Sequence, residues 1–473
     1  MKTIGILRLR DIFLLLVLLS LALSCGSDDN GMDCPDPTNA NCDQVGDDPQ
    51  DDDPQDDDPV VLEPTLSSVA PVTGPKHTEV VITGENFGTD ATKVSVSFNG
   101  TPGEVLGVTD TEVTVRVPVG ANTGPITMVV DGFDLTGPEF VYELTYAVET
   151  FAGGGRGYEE GSGTEAKFYE PRDLAKDSGG NIFVVDRRNN AIRKIAPDGE
   201  VTTFAGGVLG SGEGQFRFPR GLAMDSDDNI YVADSGNNRI VMIDPNGVWS
   251  IIAGGNEYGY VNGAVDVALF NNPVAILVGE DGDNALYVSD SNNHAIRRIS
   301  LDEGQYTVST YAGPGPEIDQ RGGDENGDLS DARFNYPKGM AKSGEGIILV
   351  VDDNDRIRAI DQDAGTVGTF AGSGWGYVND VDRLDAMFKN PMDVSVSGDG
   401  TVYIADALNH CIRRIDSEGH VTTIAGNPNS GGYRDDLGDV ALFDNPVGVL
   451  HGGEGEIYVA DMDNHAIRKI TID

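Results

Sequence analysis

The chain has 473 residues, with 78 Asp or Glu against 32 Lys or Arg and a formal net charge of −46. So negative a surface can offer neither phosphate neutralisation nor counterion release, which disfavours nucleic acid and anionic lipid as partners. With 62 Gly and 23 Pro, helix breakers are too frequent for a mainly helical protein, and an all-β fold of short strands and turns is expected.

Lys2, Arg8 and Arg10 precede an apolar run from Ile12 to Leu23, shorter than the roughly 20 residues that span a bilayer. This pattern predicts a signal peptide over residues 1–24. The run ends in Leu21-Ala22-Leu23-Ser24-Cys25, which resembles a bacterial lipoprotein processing site. The resemblance implies lipidation of Cys25, an outer-membrane location and contact with the membrane only through that anchor. Ala22 stands where such sites favour Leu, so an unlipidated secreted form stays open. Gly26-Ser27-Asp28-Asp29 resembles acidic export signals and implies exposure at the cell surface.

Residues 25–63 form the next segment, an acidic disordered tether. Residues 26–63 contain 14 acids and no Lys or Arg, and such a stretch repels itself and stays extended. Within it Cys34 and Cys42 are candidates for a local disulfide in an oxidising compartment. Residues 1–25 carry three bases and one acid, so residues 64–473 still hold −34.

Residues 64–145 alternate apolar and polar positions, as in Val94-Ser95-Val96-Ser97-Phe98 and Val113-Thr114-Val115-Arg116-Val117, with Gly, Pro and Asn closing each run. That is the pattern of a small β-sandwich. The segments "SSVAPVTGPKHTEVVITGENFG" (67–88), "VSVSFNG" (94–100), "VTVRVPVGANTGPITMVVDG" (113–132) and "FVY" (140–142) resemble an IPT/TIG domain. The resemblance implies an immunoglobulin-like module of the kind found in surface proteins, here a spacer.

Residues 146–473 repeat. "FVVDRRNNAIRKI" (183–195), "YVADSGNNRIVMI" (231–243), "YVSDSNNHAIRRI" (287–299), "LVVDDNDRIRAI" (349–360), "YIADALNHCIRRI" (403–415) and "YVADMDNHAIRKI" (458–470) share one grammar. Their Asp residues at 186, 234, 290, 352, 406 and 461 are 48, 56, 62, 54 and 55 apart, room for four strands and their turns. Phe-x-x-Pro opens each unit, and a strand such as Val201–Gly206 closes it. The matching strand at 148–153 lies before the first unit, and the last unit ends without one. A ring in which residues 148–153 complete the sixth blade removes the exposed edge. The period, the Asp-x-x-Asn turn and the "IRxI" strand resemble NHL repeats, which implies a six-bladed β-propeller. NHL propellers mostly bind proteins, RNA or other ligands, while related six-bladed rings include lyases and lactonases.

The repeated Asp and Asn residues suit turn geometry. His294, His410 and His465 share a slot that holds Asn190 and Asn238 in the first two blades, and it lies too far from the axis for a shared metal. No metal ligand set is expected, and "DENGDLSD" (324–331) is only a weak candidate for calcium, lacking the Gly and Glu that such a loop needs. Cys411 reads as a buried small residue.

Side chains from different blades converge only near the axis, just after each Pro. There stand Arg172, Asp173, Arg220, Lys338 and Asp393. Three bases at equivalent positions could hold a carboxylate or sulfate group, or simply balance nearby acids. Gly-rich loops on the same face carry Tyr158, Tyr260, Tyr377 and Tyr433, with Trp375 beside them. Such aromatic planes suit sugar rings, with structural packing as the alternative reading of the recurring Tyr. No nucleophile with its base is visible. The sequence therefore favours a binding or adhesion protein whose propeller face meets a glycan or a protein. A lactonase-like hydrolase or lyase with a divalent metal in the channel, and a non-binding scaffold in a surface complex, are the alternatives.

Overall fold

A computed structural model of the chain describes residues 62–473 except 280–282, 303–304, 319–320, 345 and 454. The signal peptide, Cys25, the acidic tether, Cys34 and Cys42 lie outside the described residues. The first described part is a two-sheet sandwich. One sheet orders Thr65–Ala70, Glu79–Glu85, Glu112–Arg116 and Glu104–Thr109; the other orders Thr73–Gly74, Phe133–Tyr142, Gly124–Val130, Val94–Phe98 and Thr101–Pro102. The period-2 pattern puts Val80, Ile82, Val96, Phe98, Val113, Val115, Ile126 and Met128 inside. Phe98 and Phe140 meet edge to face at 5.0 Å between their centroids.

The remaining strands form six four-stranded antiparallel blades, four of them carrying an extra two-residue strand on the outer edge. The innermost strands are Pro171–Lys176, Gly221–Met224, Pro273–Val278, Met340–Lys342, Pro391–Val396 and Pro446–Gly453. The expected closure is present: Tyr146–Ala152 pairs with Ala466–Ile472 and forms the outer strand of blade 6. Thr145 and Asp473 exchange backbone hydrogen bonds of 2.8 and 2.9 Å, and the sandwich residue Lys76 forms an ion pair with the Asp473 carboxylate.

Because strands alternate in direction, one face of the ring collects the starts of the inner strands, the turns between second and third strands, and the ends of the outer strands. This is the turn face. The Phe of every Phe-x-x-Pro segment (168, 216, 270, 334, 388 and 443) is fully buried beneath it.

Candidate ligand sites on the propeller axis

Under the turn face each blade holds one buried ion pair. The repeated Asp accepts the backbone N–H of the residue after the Phe, as in Tyr169 to Asp186 at 2.8 Å and Asn271 to Asp290 at 2.8 Å. In five blades its other oxygen accepts the turn Asn and an Arg; Asp290 takes Asn293 at 2.7 Å and Arg297 at 2.7 Å, whereas Asp352 of blade 4 takes the backbone N–H of Asn354 at 2.9 Å and has Arg358 at 3.6 Å. Arg193, Arg297, Arg358, Arg413 and Arg468 are fully buried. Each also donates to loop carbonyls, such as Leu269 and Val261 for Arg297. Burial pushes the Asp carboxyls up, to about 6 for Asp186 and Asp290, while the turn hydrogen bonds and the facing Arg pull them back toward the ionised form. The loop Gly-rich segments therefore fold down because an arginine needs their carbonyls.

Blade 2 solves the same problem differently. Val241 occupies the usual Arg position, and Arg239, two residues earlier, donates to Asp234 at 2.8 Å and to the carbonyls of Ser211 and Gln215. In blade 4 groups of the acidic loop at 324–331 face arginines. Asp324 forms an ion pair with Arg356, and Glu325 O and the Asn326 side chain accept from Arg358 at 3.1 and 2.6 Å.

The shared slot after each turn holds a left-handed residue: Asn190, Asn238, His294, Asp355, His410 and His465, with φ between 50° and 60°. Its side chain accepts the N–H of the residue before the next blade's Pro. Asn190 takes Phe218 N at 2.9 Å, His294 Nδ1 takes Tyr336 N at 3.1 Å, His410 Nδ1 takes Asn445 N at 3.2 Å and His465 Nδ1 takes Glu170 N at 3.3 Å. Asn238 and Asp355 do the same for Asn272 and Asn390. These six latches run around the ring and cross the closure seam. Every pre-Pro residue they hold also has positive φ, from 43° at Tyr336 to 57° at Glu170, a conformation that a bulky residue keeps only when held. Each His ring is thus committed to a neighbouring blade, and the three lie in different latches.

The recurring tyrosines cover the buried arginines. The Arg193, Arg297, Arg413 and Arg468 guanidinium carbons lie 5.0, 4.7, 4.9 and 4.8 Å from the ring centres of Tyr158, Tyr260, Tyr377 and Tyr433. Each hydroxyl bonds a Thr of the outer strand: Thr203, Thr310, Thr423 and Thr150. Tyr260 is buried. These four side chains take the structural alternative. Trp375 is 60% exposed, with Lys389 Nζ 5.2 Å from its ring centre.

Near the axis the bases separate into two kinds. Lys338 is buried and held by Asp353 at 2.6 Å and Asn390 Oδ1 at 2.6 Å, so it balances local acids. Arg172 and Arg220 have no carboxylate at ion-pair distance among the described residues. Burial and the like charges of Arg220 and Arg187 pull Arg172 down to about 9. Burial and Arg187 pull Arg220 down to about 10. Arg187, from the blade 1 turn, is the third member of this group; Glu170 accepts from it at 2.5 Å. The position after the repeated Asp holds Arg187, Ser235, Ser291, Asp353, Ala407 and Met462 in the six blades, so no repeat pattern marks Arg187, and only the turn geometry brings it to this group.

Asp173 and Asp393 belong to blades 1 and 5, four apart in sequence order but two apart around the closed ring, close enough to repel. Asp173 Oδ2 accepts Leu222 N at 2.9 Å and Asp393 Oδ2 accepts Val449 N at 3.0 Å, so each ties its inner strand to the next. At this level the strands close in. A Cβ at Gly221 would lie 2.2 Å from Val274 O, and one at Gly448 2.3 Å from Arg172 O. The two Asp stand at one end of a cavity of about 1030 Å³ that extends to the opposite face. Among the described residues no three His, Cys, Asp or Glu are placed to hold a metal ion.

Residues 64–144 match the IPT/TIG domain family and residues 216–241 match the NHL repeat family. The chain carries an IPT/TIG domain and an NHL-repeat propeller. Its NHL part is similar to Drosophila melanogaster Teneurin-m, 33% identical over 211 residues, 40% of this chain and 8% of that protein. Human NHL repeat-containing protein 2 is 27% identical over 231 residues, covering 43% of this chain and 31% of that one. The chain spans less than a third of the curated relatives it matches. Among solved structures, a structural genomics protein of unknown function from Bacteroides thetaiotaomicron aligns with a TM-score of 0.57 at 23% identity, over 88% of this chain and 99% of that one. An auxiliary nutrient binding protein from Bacteroides ovatus aligns with a TM-score of 0.53 at 19% identity, over 87% and 98%. At these identities the likeness extends to the fold of the IPT/TIG and NHL parts.

Proposed function

We propose that this protein is a lipid-anchored extracytoplasmic binding protein. In this reading Cys25 carries the lipid at the outer membrane, and the acidic tether and IPT/TIG domain hold the NHL propeller off the surface. The turn face then binds an anionic group on a glycan, with an acidic protein surface as the other class of partner. One observation carries the reading. In a body of net charge −34, Arg172 and Arg220 converge at the axis with no carboxylate at ion-pair distance among the described residues, and burial with the like charges of neighbouring Arg side chains disfavours their charged forms, a state that an arriving carboxylate or sulfate relieves. The resemblance to an auxiliary nutrient binding protein supports binding in general.

The test is a glycan array carrying uronate, sulfated and neutral sugars, probed with the soluble chain from residue 26 onward and with the folded double variant Arg172→Ala, Arg220→Ala. Binding restricted to acidic glycans and reduced at least tenfold in the variant is expected. Equal binding by both proteins removes the arginine pair from the site; silence on the whole array moves the protein-partner reading forward.

A further inference from the structure

The cavity on the other face has a chemistry of its own. Among the described residues its lining includes Asp173, Asp225, Asp227, Asp283 and Asp393 against a single base, Lys342. Between the deep acids and the mouth the wall is apolar, with Leu222, Ile276, Leu277, Met340, Val394 and Val449 among its residues. At the mouth, two acids are already engaged. Asp225 accepts Asn229 Nδ2 at 2.9 Å and the Tyr231 hydroxyl at 3.0 Å, and Asp283 accepts Tyr287 at 2.8 Å and Arg298 at 2.7 Å. Asp173 and Asp393 take backbone N–H groups only, and a carboxylate has about four acceptor positions, so both keep capacity toward the cavity. Burial raises Asp173 to about 6, and burial together with the Asp173 charge raises Asp393 well above the ordinary range.

We infer that this cavity is a second ligand site, separate from the turn face, and that it takes a small molecule with an ammonium group on an apolar body. The ammonium is held by the Asp173 and Asp393 carboxylates at the deep end, and the apolar body lies against the wall below. A volume of about 1030 Å³ accommodates such a molecule, at the upper end of the ~300–1,000 Å³ usual for small-ligand pockets. An anion is rejected by the five Asp, and a purely apolar ligand leaves two acids desolvated without a counter-charge.

The experiment is isothermal titration of the soluble chain with 2-phenylethylamine and with its neutral counterpart 2-phenylethanol, at pH 7 in two buffers of different ionisation enthalpy. The amine is expected to bind at least tenfold tighter than the alcohol and to release a proton on binding. Asp393→Asn is expected to lower amine affinity at least tenfold and to abolish the proton release. Ala223→Phe, which narrows the cavity without touching either acid, is expected to weaken amine and alcohol alike. Equal affinity for amine and alcohol, no binding of either, or unchanged amine binding by a folded Asp393→Asn overturns the inference. If Asp393→Asn fails to fold, the amine-to-alcohol ratio and Ala223→Phe decide.

Discussion

The turn layer and the axial layer of the NHL propeller are built from neighbouring positions of the same repeat, yet they obey different rules. In the turn layer five blades reach one arrangement, an Asp that gathers a backbone N–H, an amide and a guanidinium, even where the sequence must deviate to do so; in blade 4 Asp352 instead takes the backbone N–H groups of Asn335 and Asn354, with Arg358 3.6 Å away. Blade 2 moves its Arg by two positions and keeps the pair. In the axial layer the equivalent positions read Asp173, Gly221, Ala275, Gly339, Asp393 and Gly448, and nothing restores uniformity. Where the blades converge on one geometry, the residues hold the fold. Where equivalent positions diverge while facing a common space, they are available for recognition.

The largest expected effect tests that division directly. Arg297 and Asp290 are both fully buried, so Arg297→Ala leaves a buried carboxylate without its counter-charge. It should cost about 3–5 kcal/mol, measured as the denaturant midpoint and slope of unfolding. Arg172→Ala at the axis should leave the same midpoint unchanged or slightly raised, and an equal loss at both positions would erase the distinction between the layers. A smaller effect sharpens it. Arg239→Ala in blade 2 should destabilise by about 3 kcal/mol, and adding Val241→Arg, which moves the guanidinium to the position the other blades use, should recover part of that loss. The smallest concerns the latches. Burial lowers His294 below its ordinary value of 6.5, so the folded form binds its proton more weakly than the unfolded chain does. The stabilisation is complete above about pH 6.5 and is lost as pH falls through the lower folded value. His294→Asn, which keeps the acceptor and removes the titration, should flatten that acid limb, read from thermal midpoints between pH 7 and pH 5.

Much of the architecture was legible because propellers write themselves as periods. The alternation of the sandwich, the spacing of six Asp residues and the orphan strand at 148–153 led to the sheets and to the ring closure. The histidine slot was legible as well, since Asn190 and Asn238 in two blades argue for an acceptor rather than a ligand. The buried arginines were visible as the charged residue within "IRxI", an odd choice for an apolar strand, but their partners are loop carbonyls from about 25 to 35 residues away, which no local pattern shows. The tyrosines allowed two readings for the same reason: an aromatic in a Gly-rich surface loop suits a sugar platform as well as packing until the guanidinium beneath it is known. Whether an axial base is free also depends on neighbours across blades. Asp353 and Asn390 hold Lys338, while nothing comparable reaches Arg172 or Arg220.

The closure by strand 146–152 sets an order of events during synthesis. The strand leaves the ribosome before any blade, yet its partner, Ala466–Ile472, comes last; the seam joins Thr145 to Asp473, 328 positions apart. Until the final residues arrive, an apolar edge strand beside the IPT/TIG domain has no mate and is open to other chains. A chain released before Ala466–Ile472 is made carries folded blades and an unpaired seam, so that one seven-residue strand decides whether the ring is closed or offers its edge to a protease or chaperone.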